Sequence, residues 1–258
     1  MDIAESHVGR SLHSIKELQC KGLKEKGSSA LLTENLFPEN SVFSIIDKIK
    51  DSSDSTKTIA DLGPFFPHVA DLDFLLCTDL GTEPADFIAS TPSKLIYIHV
   101  KCADVGAPHS SAGALAMVGT QAIKNLEALT SPNAHLFFAN WNMLKSPWRT
   151  DNAHPDHVKR LRLIDKMCPE EYMQKQGGDY NTLIDHAWKT ISQRRKSLAV
   201  AKEIWIVVGN AFSKSDFYNQ IRLGQQCAAE TLQAFQLIDS WLNTLSTNEV
   251  SLRLFVSE

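Results

Sequence analysis

The chain has 258 residues, 43% of them apolar, which is enough to bury a substantial core in one domain with insertions or in a domain plus a small appendage. Thirty acidic against 26 basic residues leave a formal net charge of −4, so the chain lacks the overall basic footprint of a dedicated nucleic-acid-binding domain and any such surface has to be confined to local clusters. No apolar run is long enough to span a bilayer. The first residues carry Asp2 and Glu5 and no apolar stretch of the signal-peptide kind, which points to a cytoplasmic address. Five scattered cysteines (Cys20, Cys77, Cys102, Cys168, Cys227) without a CxxC pair argue against a disulfide framework or a zinc knuckle.

In chain order, residues 1–60 read as a mainly helical N-terminal segment. Leu12, Ile15, Leu18 and Leu23 mark a stripe within 11–26, and Val42, Ile45, Ile46 and Ile49 recur at helical spacing. A polar connector, 51–57, leads to the main body, expected over 61–258. There 74–78, 85–89 and 95–101 are expected to be strands, followed by a loop and a helix over 111–129. Residues 131–180 read as an insertion with short helices. Within it His154 and His157 have an HxxH spacing, but no fourth ligand of suitable spacing appears, so a zinc site is not expected. A helix over 182–201 precedes 203–209, a continuous apolar run suited to a strand buried on both faces. Helices over 213–223 and 225–245 and a strand over 250–256 complete an α/β pattern, a mixed central sheet flanked by helices.

Chemistry concentrates between 74 and 101. An apolar strand delivers three acids in eight residues, Asp79, Glu83 and Asp86, and the next apolar strand ends in His99-Val100-Lys101. Charges on core strands cost several kcal/mol to desolvate unless they pair or hold a cation, so their gathering suggests a metal-assisted site. Strand alternation places Leu95, Tyr97, His99 and Lys101 on one face, and an antiparallel hairpin would bring Asp86 beside His99 and Lys101.

The order acid, turn, strand and then acid-or-substitute-x-Lys resembles the PD-(D/E)xK restriction-endonuclease-like nucleases. Asp86 stands in the place of the first Asp of that motif, and His99-Val100-Lys101 in the place of (D/E)xK. The run 79–86 is similar to the Gly- and Asp-rich turn of the Mrr-like branch, and Gln121 resembles a glutamine that many of these enzymes carry in the following helix. The resemblance covers 70–129 and implies a restriction-endonuclease-like fold and a metal-dependent nuclease hydrolysing phosphodiester bonds in DNA, of use in prokaryotic restriction or anti-phage defence. It implies Mg2+ or Mn2+ held by Asp86, Glu83 and His99, with Lys101 assisting the attacking water and Gln121 supporting the site. It leaves open a helicase or sensor protein as partner and an oligomeric assembly. His99 stands where Asp, Glu or Gln is usual, and its softer nitrogen suits manganese or zinc better than magnesium.

Two basic clusters offer contacts to nucleic acid: Lys159, Arg160 and Arg162, and Arg194, Arg195 and Lys196. Each is equally readable as a solvated helix face. The competing functional reading is a catalytically weakened module of the same fold that binds nucleic acid or a partner protein. A nucleotide-using enzyme is disfavoured, because Gly209-Asn-Ala-Phe lacks the glycine spacing and lysine of a phosphate loop.

Overall fold

The computed structural model describes residues 3–102, 110, 112–131, 140–148 and 157–258. Its strands are Leu12–Ser14 (β1), Phe74–Cys77 (β2), Phe87–Thr91 (β3), Lys94–Cys102 (β4), Leu161–Ile164 (β5), Ala201–Ser213 (β6) and Val250–Ser257 (β7). They form one mixed sheet in the order β1-β7-β6-β4-β3-β2-β5. The α-helices are His7–Ser11 (α1), Val42–Asp47 (α2), Ala112–Lys124 (α3), Leu126–Thr130 (α4), Pro169–Gln176 (α5), Tyr180–Lys196 (α6), Lys214–Arg222 (α7) and Ala229–Thr247 (α8). The fold is therefore α/β, a mixed sheet flanked by helices. No described helix is long and apolar enough to cross a membrane.

Contacts divide the chain into two interleaved units. One comprises the chain up to Glu25, His99–Lys124 and Glu203–Glu258. Here β1 pairs in parallel with β7, Leu12 facing Leu254. Helix α8 lies against α3 and β7, and the Trp241 ring sits so close to Gly119 that an added Cβ would come within 2.0 Å of it. The side chain of Ser213 caps α7 by accepting from the amide of Asp216 at 3.1 Å.

The other unit comprises Lys26–Ile98 and Asn125–Lys202. Strand β2 is buried along its whole length and runs antiparallel to β3 on one side and β5 on the other. The register of β3 with β4 sets Phe87 opposite Ile98 and Ser90 opposite Leu95. Phe37, Phe43, Phe87 and Trp148 form an aromatic core, with ring centroids 4.8 to 5.8 Å apart where they touch. Asp179 caps α6 through the Thr182 amide at 2.8 Å, and the Lys202 ammonium closes its other end on the carbonyls of Arg194, Ser197 and Val200. The division between the units falls inside β4, between Ile98 and His99.

Three sequence expectations change. Residues 11–26 do not form a helix: Leu12 enters β1, and Ile15, Leu18 and Leu23 are buried along an irregular segment with one 3-10 turn. The buried spacing is real, but the segment pairs with a strand about as far away in sequence as the chain allows, which local periodicity cannot reveal. The stretch 131–180 is not solely an insertion of short helices, because it supplies β5, which bonds directly to β2. The helix expected over 111–129 breaks at Asn125, whose φ and ψ of −92° and 5° leave the helical region.

Candidate functional site

The site begins where β2 ends. The Thr78 amide donates to the Asp86 carbonyl at 2.8 Å, and its hydroxyl donates to the Ala85 carbonyl at 2.6 Å, so the chain leaving β2 and the chain entering β3 are tied together. Between them lies a turn in which Gly81 takes φ of +83°, a conformation costly for any residue with a Cβ. The turn is braced internally by the Leu80 amide, which donates to Glu83 Oε2 at 3.0 Å. Asn125, at the helix break, donates from Nδ2 to the carbonyls of Glu83 and Pro84, both at 3.2 Å.

This loop gathers Asp79, Glu83 and Asp86. One carboxylate oxygen from each lies within 4.8 Å of the others, the single such cluster among the described residues. Glu83 and Asp86 are buried, at 8% and 5% exposure. Asp79 is held on every side. Its Oδ1 is 2.8 Å from the Lys26 ammonium, its Oδ2 accepts from Trp148 Nε1 at 2.7 Å, and its carbonyl accepts from Arg160 Nη1 at 2.8 Å. Three carboxylates at this spacing repel one another, and the Lys26 ammonium on Asp79 offsets part of that repulsion.

An all-oxygen donor set suits a hard cation. Two ligands on one magnesium are at most about 4.2 Å apart, and on calcium up to about 5.2 Å, from their usual bond lengths. The 4.8 Å limit lies between these values, so the residues fit a divalent cation with small side-chain adjustments.

The expected antiparallel pairing of β3 with β4 forms, and the Asp86 amide donates to the Ile98 carbonyl at 3.0 Å. His99, Lys101 and Gln121 belong to the unit that does not contain the acids. His99 is fully buried, neither ring nitrogen has a hydrogen-bond partner among the described residues, and burial pushes its pKa down to about 4. Lys101 pairs with Glu25 at 3.1 Å. Gln121 is exposed on α3, with no hydrogen bond to the acids among the described residues.

The basic clusters also read differently in the structure. Arg162 is 3% exposed, and all its donors are used: Nε and Nη2 on Asp47 at 2.7 and 2.9 Å, Nη2 and Nη1 on the carbonyl and side chain of Asn35 at 2.8 and 2.6 Å, and Nη1 on the Lys159 carbonyl at 3.1 Å. Burial alone would raise the Asp47 carboxyl, but Arg162 and Lys50 overcome this and hold it below the usual carboxylate range. Arg160 and Arg195 are buried, Arg194 grips Asp73 with two bonds of 2.6 Å, and Lys159 pairs with Glu170. Lys196 alone of the six is well exposed. Charge by itself suggested two solvated basic faces, whereas most of these side chains are spent on the protein.

Residues not singled out in the sequence do much of the positioning: Lys26, Trp148 and Asn125. Lys26 and Trp148 lie 53 and 69 positions from Asp79, beyond any local motif. No protein-family model, curated protein or solved structure matches the chain.

Proposed function

We propose that this protein is a divalent-cation-dependent phosphodiester hydrolase acting on DNA, with Asp79, Glu83 and Asp86 as the residues that hold the cation, in a sheet of restriction-endonuclease-like type. The observation that carries this reading is the convergence of three carboxylate oxygens within 4.8 Å on a braced turn, two of the acids being buried. Mg2+ or Mn2+ held there would polarise a phosphoryl oxygen and acidify a coordinated water. In the hydrolysis water adds to phosphorus, the P–O bond to the leaving strand breaks, and a phosphate monoester and an alcohol result. Trp148 and Arg160 keep Asp79 from swinging away, and Thr78 and Asn125 fix the backbone that presents Glu83 and Asp86. Lys26, whose ammonium is 2.8 Å from Asp79, takes the place beside the acids that the resemblance gave to Lys101, which pairs with Glu25.

Supercoiled plasmid incubated with the protein and Mg2+ or Mn2+ tests the reading. Wild type nicks it, chelation stops the nicking, and Asp86→Ala lowers the rate at least about a hundredfold, the scale of losing one electrostatic catalytic group. Lys26→Ala slows nicking more than Lys101→Ala does. Equal nicking by wild type and Asp86→Ala contradicts the proposal. One observation favours the second reading, a catalytically weakened module: Lys101 is committed to Glu25. DNA binding by wild type with no cation-dependent cleavage would select that reading.

A further inference from the structure

Away from the acids, the unit made of Lys26–Ile98 and Asn125–Lys202 contains a second concavity of about 580 Å3. That volume falls in the range of small-molecule sites, about 300 to 1,000 Å3. Its lining comes from two segments, 30–39 and 44–50. Leu31, Leu36, Phe37 and Ile45 supply an apolar surface, with Leu31 and Leu36 48% and 53% exposed at the rim. Ser44, Lys48 and Lys50 supply donors, and Glu39 and Asp47 also line it.

The frame is rigid. Arg162 bonds both to Asp47 in α2 and to Asn35 in the opposing turn, and its guanidinium lies 5.4 Å from the centroid of the Phe37 ring, so both walls are fixed to one buried group. The Lys48 stem is held as well, since the position a Cβ on Gly63 would take is only 3.1 Å from Lys48 Cβ and Cδ. The Lys48 ammonium forms no salt bridge among the described residues. The lining carries two lysines and two acids; Lys50 is paired with Asp47 at 2.9 Å, which leaves Lys48 as the lining cation with no salt bridge among the described residues. Exposed apolar side chains and a lysine without a salt bridge line one concavity, a combination suited to an amphiphilic ligand.

We infer that this cavity is a binding site for a small organic anion with an apolar body, its carboxylate, sulfonate or phosphate group against Lys48 and its hydrocarbon between Leu31, Leu36 and Ile45. This site is independent of the phosphodiester reading and shares none of its acids.

The probe is 8-anilinonaphthalene-1-sulfonate, an aryl body with one anionic group, titrated by fluorescence into the folded full chain, with N-phenyl-1-naphthylamine as its neutral counterpart. Wild type binds the anion saturably at one site. Leu36→Asp weakens it about tenfold, on the scale of losing one apolar contact surface. Lys48→Glu weakens the anion about threefold or more and leaves the neutral probe nearly unchanged, the scale of one exposed ion pair. Both substituted positions are exposed, and cooperative thermal unfolding of each variant confirms that it is folded. Non-saturable binding, or saturable binding that neither substitution alters, overturns the inference. Equal weakening of both probes by Lys48→Glu overturns the anionic assignment.

Discussion

Two regions of the same unit bury charge in opposite ways. Around Arg162, every donor meets a protein acceptor and the Asp47 carboxylate has cations on two sides, so the charge is balanced within the fold. In the turn after β2, three acids of like sign converge, with Lys26 on Asp79, while the backbone is braced so that they cannot part easily. Balanced buried charge is a structural device. Three acids gathered on a preorganised loop are what the proposed cation site requires.

The contrast is sharpest if the first region is broken. Asp47→Ala leaves the Arg162 guanidinium buried and without its carboxylate, and equilibrium denaturation should show a loss of about 3 to 5 kcal/mol. In the acidic turn the same kind of change should behave differently. Asp86→Asn, measured with a chelator present, should leave stability equal to wild type or raise it, because repulsion is relieved. The stabilisation that wild type gains from Mn2+ or Ca2+, about 2.7 kcal/mol at a hundredfold excess over Kd, should vanish in this variant.

His99 is a third case, a buried polar group with no hydrogen-bond partner among the described residues. An unfolded histidine takes up its proton near pH 6.5, whereas this ring resists until about 4, so between those values the unfolded state binds more protons. Stability should be full above the upper value and fall as pH drops toward the lower, by on the order of 3 kcal/mol at most. His99→Leu should flatten that slope, as unfolding midpoints measured at intervals between the two values will show. The smallest expected effect is at Trp148→Phe, which removes the Nε1 donor to Asp79 and some ring volume. It should cost about 1 to 2 kcal/mol and weaken cation binding without abolishing it.

Much of the sheet was legible because its signals are local. The alternation in β4, the apolar run of β6 and the stripes of α6 and α8 each declare themselves within a dozen or so residues. The gathering of Asp79, Glu83 and Asp86 was legible for the same reason. What escaped depends on distant partners. Leu161-Arg-Leu-Ile reads as part of a basic cluster, yet it is a buried strand because Asp47, 115 positions away, receives its arginine. Lys101 was named for its place on the strand, but Lys26 reaches the acids through a fold that no spacing rule encodes.

The central claim is that the three acids form a cation site, and terbium luminescence tests it most directly. Trp148 donates to Asp79, so exciting tryptophan should sensitise a Tb3+ ion held by the cluster. The account predicts saturable green emission from wild type, lost in Glu83→Gln and Asp86→Asn, diminished in Trp148→Phe, and competed away by Mn2+ or Ca2+. Sensitised emission that persists unchanged in the two acid variants, or none from wild type, would contradict it.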